Sequence, residues 1–178
     1  MPSRRYIAFL RAINVGGHIV KMDKLRNMFE ALDLLNVETF IASGNVIFTA
    51  SVKDTATLER RIEAHLKRAL GYDVDTFIRT AEEVATVAAY EPFAPDPSMQ
   101  ALSVIFLRAS LAPAAHDGLM ACCTPTDDFH VQGREAYWLC RTRTSDSEVN
   151  GPRLAKAIGA SSTVRNITTV RKLADKYG

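Results

Sequence analysis

The chain has 178 residues, of which 47% are hydrophobic and 24% charged, a composition typical of one or two folded domains rather than of a disordered chain. No apolar stretch approaches the length of a membrane span, and Arg11 limits the stretch after Arg4 and Arg5 to Tyr6–Leu10, too short for a signal peptide. The three cysteines are odd in number and lack CxxC spacing, which disfavours a disulfide framework and a zinc site. We therefore expect a cytoplasmic protein without a metal centre.

The net charge of +2 is distributed unevenly along the chain. Residues 1–26 contain six basic residues and one acidic residue, and residues 134–178 contain nine and four, so each end carries a charge of +5. Residues 27–133 contain seven basic and fifteen acidic residues. Two basic ends that meet in the fold would attract an anion, although basic faces exposed to water would give the same pattern.

The first half of the sequence predicts the element order βαββαβ. Its helices are predicted from apolar residues spaced three to four positions apart, such as Leu25, Met28 and Phe29. A hairpin is predicted where two β-rich segments flank a Ser-Gly-Asn turn at residues 43–45. The predicted elements are strand Tyr6–Ile13, helix Lys21–Leu32, strands Glu38–Ala42 and Asn45–Ala50, helix Thr55–Leu70 and strand Val74–Arg79. This order is that of a ferredoxin-like split βαβ unit.

The second half repeats the same order after a proline-rich segment, Tyr90–Gln100, which breaks both helix and sheet. Its predicted elements are strand Leu102–Leu107, helix Ala112–Cys122, strands Asp128–Val131 and Glu135–Arg141, helix Pro152–Ile158 and strand Ser161–Arg165. The sequence therefore predicts an α+β protein made of two ferredoxin-like repeats with antiparallel sheets and helices. We expect residues 1–89 and 101–178 to be the repeats and residues 90–100 to be the linker.

Short internal similarities support a duplication. The letters FLRA occur at residues 9–12 and 106–109, and ALG at residues 69–71 matches AIG at residues 157–159. The hairpin glycines Gly44 and Gly133 form a third pair, and helix starts at Thr80 and Thr168 form a fourth. All four pairs occur in one order on the same predicted elements.

The first copy contains extra chain between its FLRA segment and its hairpin. Arg11 is 33 residues from Gly44, whereas Arg108 is 25 residues from Gly133. The surplus of eight residues falls mostly within Ile13–Met22. Long loops on a rigid scaffold carry binding more often than simple connection, so this loop is the first place to look for function.

The enlarged loop and the following hairpin are expected to meet at one edge of the sheet. Glycines let backbone N–H groups turn toward a ligand, and the helix start beyond the loop adds partial positive charge, so this edge could hold a phosphate or a carboxylate. The loop matches neither GxGxxG nor the phosphate loop, and an ordinary turn capped by its asparagine would explain the same residues. The predicted ligand-binding residues at this edge are Arg11, Asn14, Gly16, Gly17, Lys21, Ser43, Gly44 and Asn45.

A second candidate anion site lies at the start of the last predicted helix, in TVRNITTVRKL at Thr163–Leu173. Basic residues early in a helix oppose its dipole, and a bound anion would relieve that conflict. An ordinary cap followed by a solvated basic face explains the same residues. The predicted ligand-binding residues here are Arg165, Asn166 and Thr169, with Arg171 and Lys172 nearby.

Other chemistries are disfavoured by residue spacing. The four histidines lack metal-ligand spacing, Ser43 does not lie in GxSxG, and no pair of carboxylates is placed for acid/base catalysis. An RNA-binding sheet needs aromatic residues on an open polar face, whereas both faces of the first strand are apolar. We expect that sheet to be covered by the sister repeat, the linker or a second subunit of a homo-oligomer.

Four segments together resemble a known family: YIAFLRAINVGG, KMDKLRNMFEAL, TFIASGNVIF and TVRNITTVRKL. They are similar, in order and across nearly the whole chain, to the bacterial domain-of-unknown-function family numbered 1697. The family pattern typically has glycine where this chain has Ala12. The resemblance implies two similar α+β ferredoxin-like halves and no established reaction, cofactor or partner. The residues that match its motifs are Arg11, Asn14, Gly16, Gly17, Ser43, Gly44, Asn45, Arg165, Asn166 and Thr169.

The leading hypothesis from sequence is a binding module for an anionic ligand, phosphorylated or nucleic-acid-derived, at the Arg11–Lys21 loop. An enzyme acting on a small anionic substrate is one alternative, and a titratable side chain with a perturbed pKa beside Asn14 would favour it. A protein-protein interaction module is the other, and an exposed apolar patch at this edge would favour that alternative.

Overall fold

The computed structural model describes residues 2–41 and 44–178, which form two compact units. Unit 1 comprises the residues up to Thr86 together with Leu173–Gly178, and unit 2 comprises Val87–Lys172. Each unit contains one four-stranded antiparallel sheet. The predicted α+β fold class, with two βαββαβ repeats, is confirmed.

Unit 1 has the strand order β2-β3-β1-β4, so that the first strand lies inside the sheet. Strand β1 pairs with β3 and β4, and β2 pairs only with β3. Helix α3 begins directly after β4 and continues into unit 2. The elements are β1 Arg4–Leu10, α1 Met22–Glu30, β2 Leu35–Thr39, β3 Asn45–Ala50, α2 Thr55–Leu70, β4 Thr76–Thr80 and α3 Ala81–Ala89.

Unit 2 repeats this topology with the strand order β6-β7-β5-β8. A 3-10 turn at Thr144–Asp146 precedes its second helix, and the last helix follows β8 directly. The elements are β5 Ala101–Leu107, α4 Pro113–Met120, β6 Asp127–Gln132, β7 Glu135–Cys140, α5 Gly151–Ile158, β8 Ser162–Asn166 and α6 Ile167–Tyr177.

The first strand ends three residues earlier than the sequence predicts. It was expected to reach Ile13, but the backbone leaves the extended conformation at Ala12, which has a φ of +57°. The Arg11 N–H donates to the Asp75 carbonyl oxygen at 2.8 Å, so Arg11 opens the loop instead of closing the strand. Ile13 is nevertheless buried in the core, which explains why its apolar character resembled a strand position.

The two hairpins align by register and not by their glycines. The Leu10 N–H donates to the Gly44 carbonyl oxygen, and the Leu107 N–H donates to the Arg134 carbonyl oxygen at the corresponding place in unit 2. Gly44 therefore corresponds to Arg134 and not to Gly133. A glycine marks where the backbone turns, and that point differs by one residue between the two copies.

The helix starts that follow β4 and β8 also differ from expectation in one copy. Thr80 and Glu83 form a reciprocal capping box, as predicted, with N···O distances of 2.8 and 3.1 Å. In unit 2 the helix begins after Asn166, whose side-chain oxygen accepts from the Thr168 N–H at 2.8 Å. Asn166 was one of three residues suited to capping this helix, with Thr168 and Thr169, and it caps a helix that starts at Ile167, one residue before the expected Thr168.

Each unit has its own apolar core on the helical side of its sheet. In unit 1 the core includes Tyr6, Ala8 and Leu10 of β1 together with buried residues of α1 and α2. In unit 2 it is built around Ile105 and Trp138 with residues of α4 and α5. All residues from Tyr6 to Leu10 are buried, so both faces of β1 are covered and the open face of an RNA-binding sheet is missing here.

The C-terminal end of α6 is held on unit 1 by polar contacts around Glu38. The Tyr177 hydroxyl donates to the Glu38 carboxylate at 2.8 Å, and the Lys176 ammonium lies 3.3 Å from the same oxygen. The Arg5 guanidinium donates to the Tyr177 carbonyl oxygen at 3.1 Å. The hydrogen bond from Tyr177 lowers the pKa of Glu38, and Lys176 adds to that effect. The last turn of the chain is therefore part of the unit 1 fold.

A buried carboxylate, Asp127, organises the loops of unit 2. It accepts hydrogen bonds from the indole N–H of Trp138 at 2.8 Å and the hydroxyl of Ser147 at 2.8 Å. The Thr124 and Thr126 hydroxyls also donate to it, at 2.9 and 2.7 Å. Burial alone would raise the pKa of Asp127, but these hydrogen bonds together outweigh burial and hold the pKa below its usual 3.8. The carboxylate thus joins the start of β6 to β7, to the loop before β6 and to the segment that follows the 3-10 turn.

Replacing Asp127 with asparagine is expected to lower the free energy of unfolding at pH 7 by about 2–3 kcal/mol, because the amide cannot accept all four donated hydrogens. Since the folded pKa is depressed, the wild-type advantage is complete above the unfolded pKa near 3.8 and is lost as the pH falls through and below it. Urea unfolding followed by the fluorescence of Trp138, the one tryptophan of the chain, measures both effects. The exposed Asp146→Asn is the control, and equal losses in the two variants would contradict the prediction.

Candidate functional site

Unit 1 is longer than unit 2 in two connections, and both lie at the same edge of the sheet. Eleven residues, 11–21, separate β1 from α1, whereas five, 108–112, separate β5 from α4. The connection from β2 to β3 has five residues, 40–44, against two between β6 and β7. The 2.8 Å hydrogen bond from the Leu10 N–H to the Gly44 carbonyl oxygen joins the two enlarged connections. We call residues 11–21 the exit loop.

Internal hydrogen bonds fix the shape of the exit loop. The Asn14 side-chain oxygen accepts from the Val20 N–H at 2.8 Å and closes a seven-residue ring of chain. The Tyr72 hydroxyl donates to the Ile13 carbonyl oxygen at 2.8 Å, and the His18 ring stacks on the Tyr72 ring with centroids 4.0 Å apart. Asn14 therefore acts as a brace within the loop, and Tyr72 anchors the loop to the end of α2.

The tip of the loop is open to solvent. Gly16 and Gly17 are exposed and have φ values of +63° and +84°, and a Cβ atom on either would meet nothing within 4 Å. Within the described part of the chain, their N–H groups have no hydrogen-bond partner. Lys21, at the N-cap of α1, is exposed and makes no side-chain capping bond. The loop thus presents two backbone donors and one cation near a helix start.

The remaining predicted residues of this edge lie deeper. Arg11 is half-buried, and Gly44 is buried against Ile13 and Leu10. Asn45 is fully buried, and its side-chain amide donates to the Phe40 carbonyl oxygen at 2.9 Å. These three residues are thus less accessible to a ligand than the tip of the exit loop. Ser43 was also predicted to bind ligand, and it lies outside the described residues.

Apolar side chains are also exposed at this edge. Ile19 is 87% exposed and Val15 is 56% exposed, both within the exit loop. Ile41, in the connection from β2 to β3, is 48% exposed. Three of the seven exposed large apolar residues in the described chain therefore belong to the two enlarged connections, where they accompany the cationic and glycine-rich part.

The second set of predicted residues lies in unit 2 at the junction of β8 and α6. Arg165 is buried, and it donates to the Thr163 hydroxyl at 2.8 Å and to the Val164 carbonyl oxygen at 2.9 Å. Burial lowers the pKa of Arg165 to about 10. Asn166 uses its side-chain oxygen to cap α6, and Thr169 is half-buried. An anion-binding role for these residues stays a prediction.

Arg165 has a counterpart in unit 1. The register pairs Arg165 with Val104 in unit 2 and Arg79 with Ile7 in unit 1, so both arginines occupy the same position of the repeat. Arg79 is fully buried and donates to the carbonyl oxygen of the residue before it, as Arg165 does. A buried arginine in both copies indicates that this position belongs to the common scaffold.

Sequence patterns indicated no functional role for His18 or for Tyr72. The two stacked rings are 54 positions apart in the sequence, and local sequence patterns do not predict contacts over that distance. The one available signal was Gly71, which ends α2 in the left-handed conformation and directs the next residue away from the helix axis.

In residues 2–41 and 44–178, no group of three or more histidine, cysteine, aspartate or glutamate side chains is placed to hold a metal ion. Over the same residues, none of the helices combines the length and apolar character needed to cross a membrane.

The fold and the exit loop define an α+β protein with a duplicated ferredoxin-like unit, enlarged at one edge of its first copy. The model of the family described as "Protein of unknown function (DUF1697)" matches residues 3–137 of the chain, and the chain belongs to this family. The predicted family resemblance is thereby confirmed.

The fold is also similar to that of a solved structure, the conserved bacterial protein SP0830 from Streptococcus pneumoniae. The TM-score is 0.74 with 22% sequence identity, and the match covers 99% of this chain and 100% of that one. At this identity the similarity establishes the shared fold alone. No curated protein matches the sequence significantly.

Because Ala12 and Gly17 both have left-handed backbone conformations, substitutions at these two positions are expected to change the free energy of unfolding in opposite directions. Ala12→Gly is expected to raise the free energy of unfolding by about 0.5–1 kcal/mol, because the left-handed region costs an L-residue about 1–2 kcal/mol and glycine returns part of that in unfolded-state entropy. Gly17→Ala is expected to lower it by about 1 kcal/mol for the same reason. Urea unfolding measures both.

Ala31→Gly is the matched control for Ala12→Gly, because Ala31 is exposed and has a φ of −65°. Glycine at that position relieves no strain and is expected to destabilise. If Ala12→Gly and Ala31→Gly destabilise the protein equally, Ala12 does not carry the strain assigned to it.

Proposed function

We propose that this protein is a binding module that holds an anionic ligand, phosphorylated or nucleic-acid-derived, at the exit loop of unit 1. The observation that carries the proposal is the open tip at Gly16 and Gly17, where two backbone N–H groups without a described partner lie in one loop with the exposed Lys21. Backbone donors and a cation beside a helix start are the groups that recognise phosphate in proteins.

The other predicted residues of the edge act mainly as supports in this proposal. Asn14 holds the loop closed through its bond to the Val20 N–H, and Asn45 holds the neighbouring connection closed through its bond to Phe40. A loop that is fixed before binding loses little conformational entropy when the ligand arrives. Arg11, half-buried at the start of the loop, adds a positive charge to it.

The stacked pair of His18 and Tyr72 favours a nucleotide over an inorganic anion. His18 is exposed, and the interplanar angle of 21° between the two rings leaves an aromatic surface on the loop. Nucleic acid bases stack on histidine and tyrosine rings, with about 1–3 kcal/mol per base. A base on His18 with its phosphate at the glycine tip would use both features of the loop.

A protein-protein interaction module is the second candidate, and the exposed Ile19 and Val15 favour it. Exposed apolar residues that cluster on one surface mark contact sites for other macromolecules. The two candidates differ in their response to salt, because binding through phosphate groups weakens steeply as salt rises. An interface built on apolar contact responds weakly.

Binding of pyrophosphate and of a five-nucleotide RNA, measured by calorimetry at several salt concentrations, tests the proposal. Lys21→Ala is expected to weaken the binding of both probes and to lower the salt slope for RNA by about 1. His18→Ala is expected to weaken RNA binding at least fivefold, since it removes a stacking surface worth about 1–3 kcal/mol, and to leave pyrophosphate binding unchanged.

Lys24→Ala is the matched control, because Lys24 is an equally exposed lysine three residues further along the chain in the first turn of α1. It is expected to have less effect than Lys21→Ala on the binding of either probe. Equal effects of the two substitutions, or RNA binding that does not change with salt, would reject the exit loop as an anion site. Failure of both probes to bind would leave the apolar interface as the better account of this edge.

A further inference from the structure

Unit 2 contains a cavity lined mainly by the proline-rich segment Tyr90–Gln100, which was predicted only to be a linker. Its volume is about 170 Å³, and its walls are formed by residues from Tyr90 to Asp96 together with Met99, Leu102 and Arg171. A cavity of about 150 Å³ with apolar walls is large enough to take up benzene. The cavity therefore has room for one small ring or a branched aliphatic group.

Hydrogen bonds fix the proline-rich segment that forms most of the cavity wall. The Arg141 guanidinium donates to the Asp96 carboxylate at 2.7 Å and to the Asp128 carboxylate at 2.6 Å, which fixes the proline-rich segment to the sheet. The Gln100 N–H donates to the Cys140 carbonyl oxygen at 2.9 Å and fixes the far end of the segment. Prolines also restrict the backbone of the segment. The cavity is thus preformed, which lowers the entropic cost of filling it.

The lining combines an apolar interior with two opposite charges. Pro92, Phe93 and Leu102 supply apolar walls, and Met99, which is 42% exposed, adds a further apolar side chain. Arg171 and Glu91 supply one positive and one negative charge, and both are exposed. Within the described part of the chain, neither of these two side chains has an ion-pair or hydrogen-bond partner. Asp96 also lines the cavity, but its carboxylate is already engaged by Arg141.

We propose that this cavity binds a free α-amino acid with an apolar side chain. The apolar group would occupy the space between Phe93 and Leu102, the ligand carboxylate would pair with Arg171, and the ligand ammonium would pair with Glu91. A ligand with only a carboxylate could pair with Arg171, but its negative charge would lie near the negative Glu91. A ligand with only an ammonium could pair with Glu91, but its positive charge would lie near the positive Arg171. A zwitterion satisfies both charges at once, because its two ionic groups are joined to one carbon.

Three probes with the same phenyl ring separate these contributions: L-phenylalanine, 3-phenylpropionate, which lacks the ammonium, and phenethylamine, which lacks the carboxylate. Dissociation constants are measured on the full chain by NMR chemical-shift titration. L-phenylalanine is expected to bind about two- to fivefold more tightly than either other probe, because each exposed ion pair contributes a few tenths to one kcal/mol.

Substitutions at the two charges complete the test. Arg171→Gln is expected to remove the advantage of L-phenylalanine over phenethylamine, and Glu91→Gln to remove its advantage over 3-phenylpropionate. Lys172→Gln is the control, since Lys172 is an exposed neighbour on α6 that does not line the cavity. Equal binding of the three probes, an equal effect of Lys172→Gln and Arg171→Gln, or no saturable binding of L-phenylalanine would overturn the proposal.

Discussion

The backbone hydrogen bond from the Leu10 N–H to the Gly44 carbonyl oxygen is the point on which the architecture of unit 1 depends. It is the last bond that β1 makes toward β3 before the chain turns out of the sheet, and it brings the exit loop beside the connection from β2 to β3. Unit 2 has the same bond between Leu107 and Arg134, without enlarged connections. Because both copies have this hydrogen bond, additional residues after the first strand or within the hairpin connection lie at the same edge of the sheet in either copy.

The two copies also differ in the polarity of one buried aromatic position. Trp138 of unit 2 and Phe48 of unit 1 occupy the same register position, opposite Ser103 and Tyr6 respectively. The indole N–H needs an acceptor when buried, whereas the phenyl ring does not. Asp127 supplies that acceptor and thereby brings in the hydroxyls of the surrounding loops. The indole at this position in unit 2 thus has a buried acceptor, which the phenyl ring of Phe48 does not need.

Sequence patterns predicted the order and type of the helices and strands because each element depends mainly on residues that are close together in the sequence. Helix α2 was predicted with the correct bounds from its apolar spacing, and the structure shows Asp54 capping its start and Gly71 ending it in the left-handed conformation. Strand β3 was predicted at both ends as well. The end of β1 was predicted wrongly because Ile13 is buried without being in a strand, and hydrophobicity reports burial rather than backbone conformation.

The candidate sites were predictable only in part, for a different reason. The exit loop could be found because a length difference between repeats is visible in the sequence. The stacking of His18 on Tyr72 could not, because it depends on how a loop folds back on the end of a distant helix. The unit 2 cavity was missed because prolines were interpreted as breaks in structure, and the ion pairs of Arg141 that turn the segment into a wall join residues far apart in sequence.

Backbone strain is concentrated in the copy that received the extra chain. Among the described residues, those other than glycine with positive φ are Ala12, Asp33, Asn36 and Ile41, and all four belong to unit 1. Asp33 and Asn36 tolerate this conformation, but Ala12 and the β-branched Ile41 do not, and they lie in the two enlarged connections. Strain persists where the surrounding structure over-determines the backbone, and it occurs preferentially at functional sites. The enlarged edge is therefore held in one shape at a cost in stability.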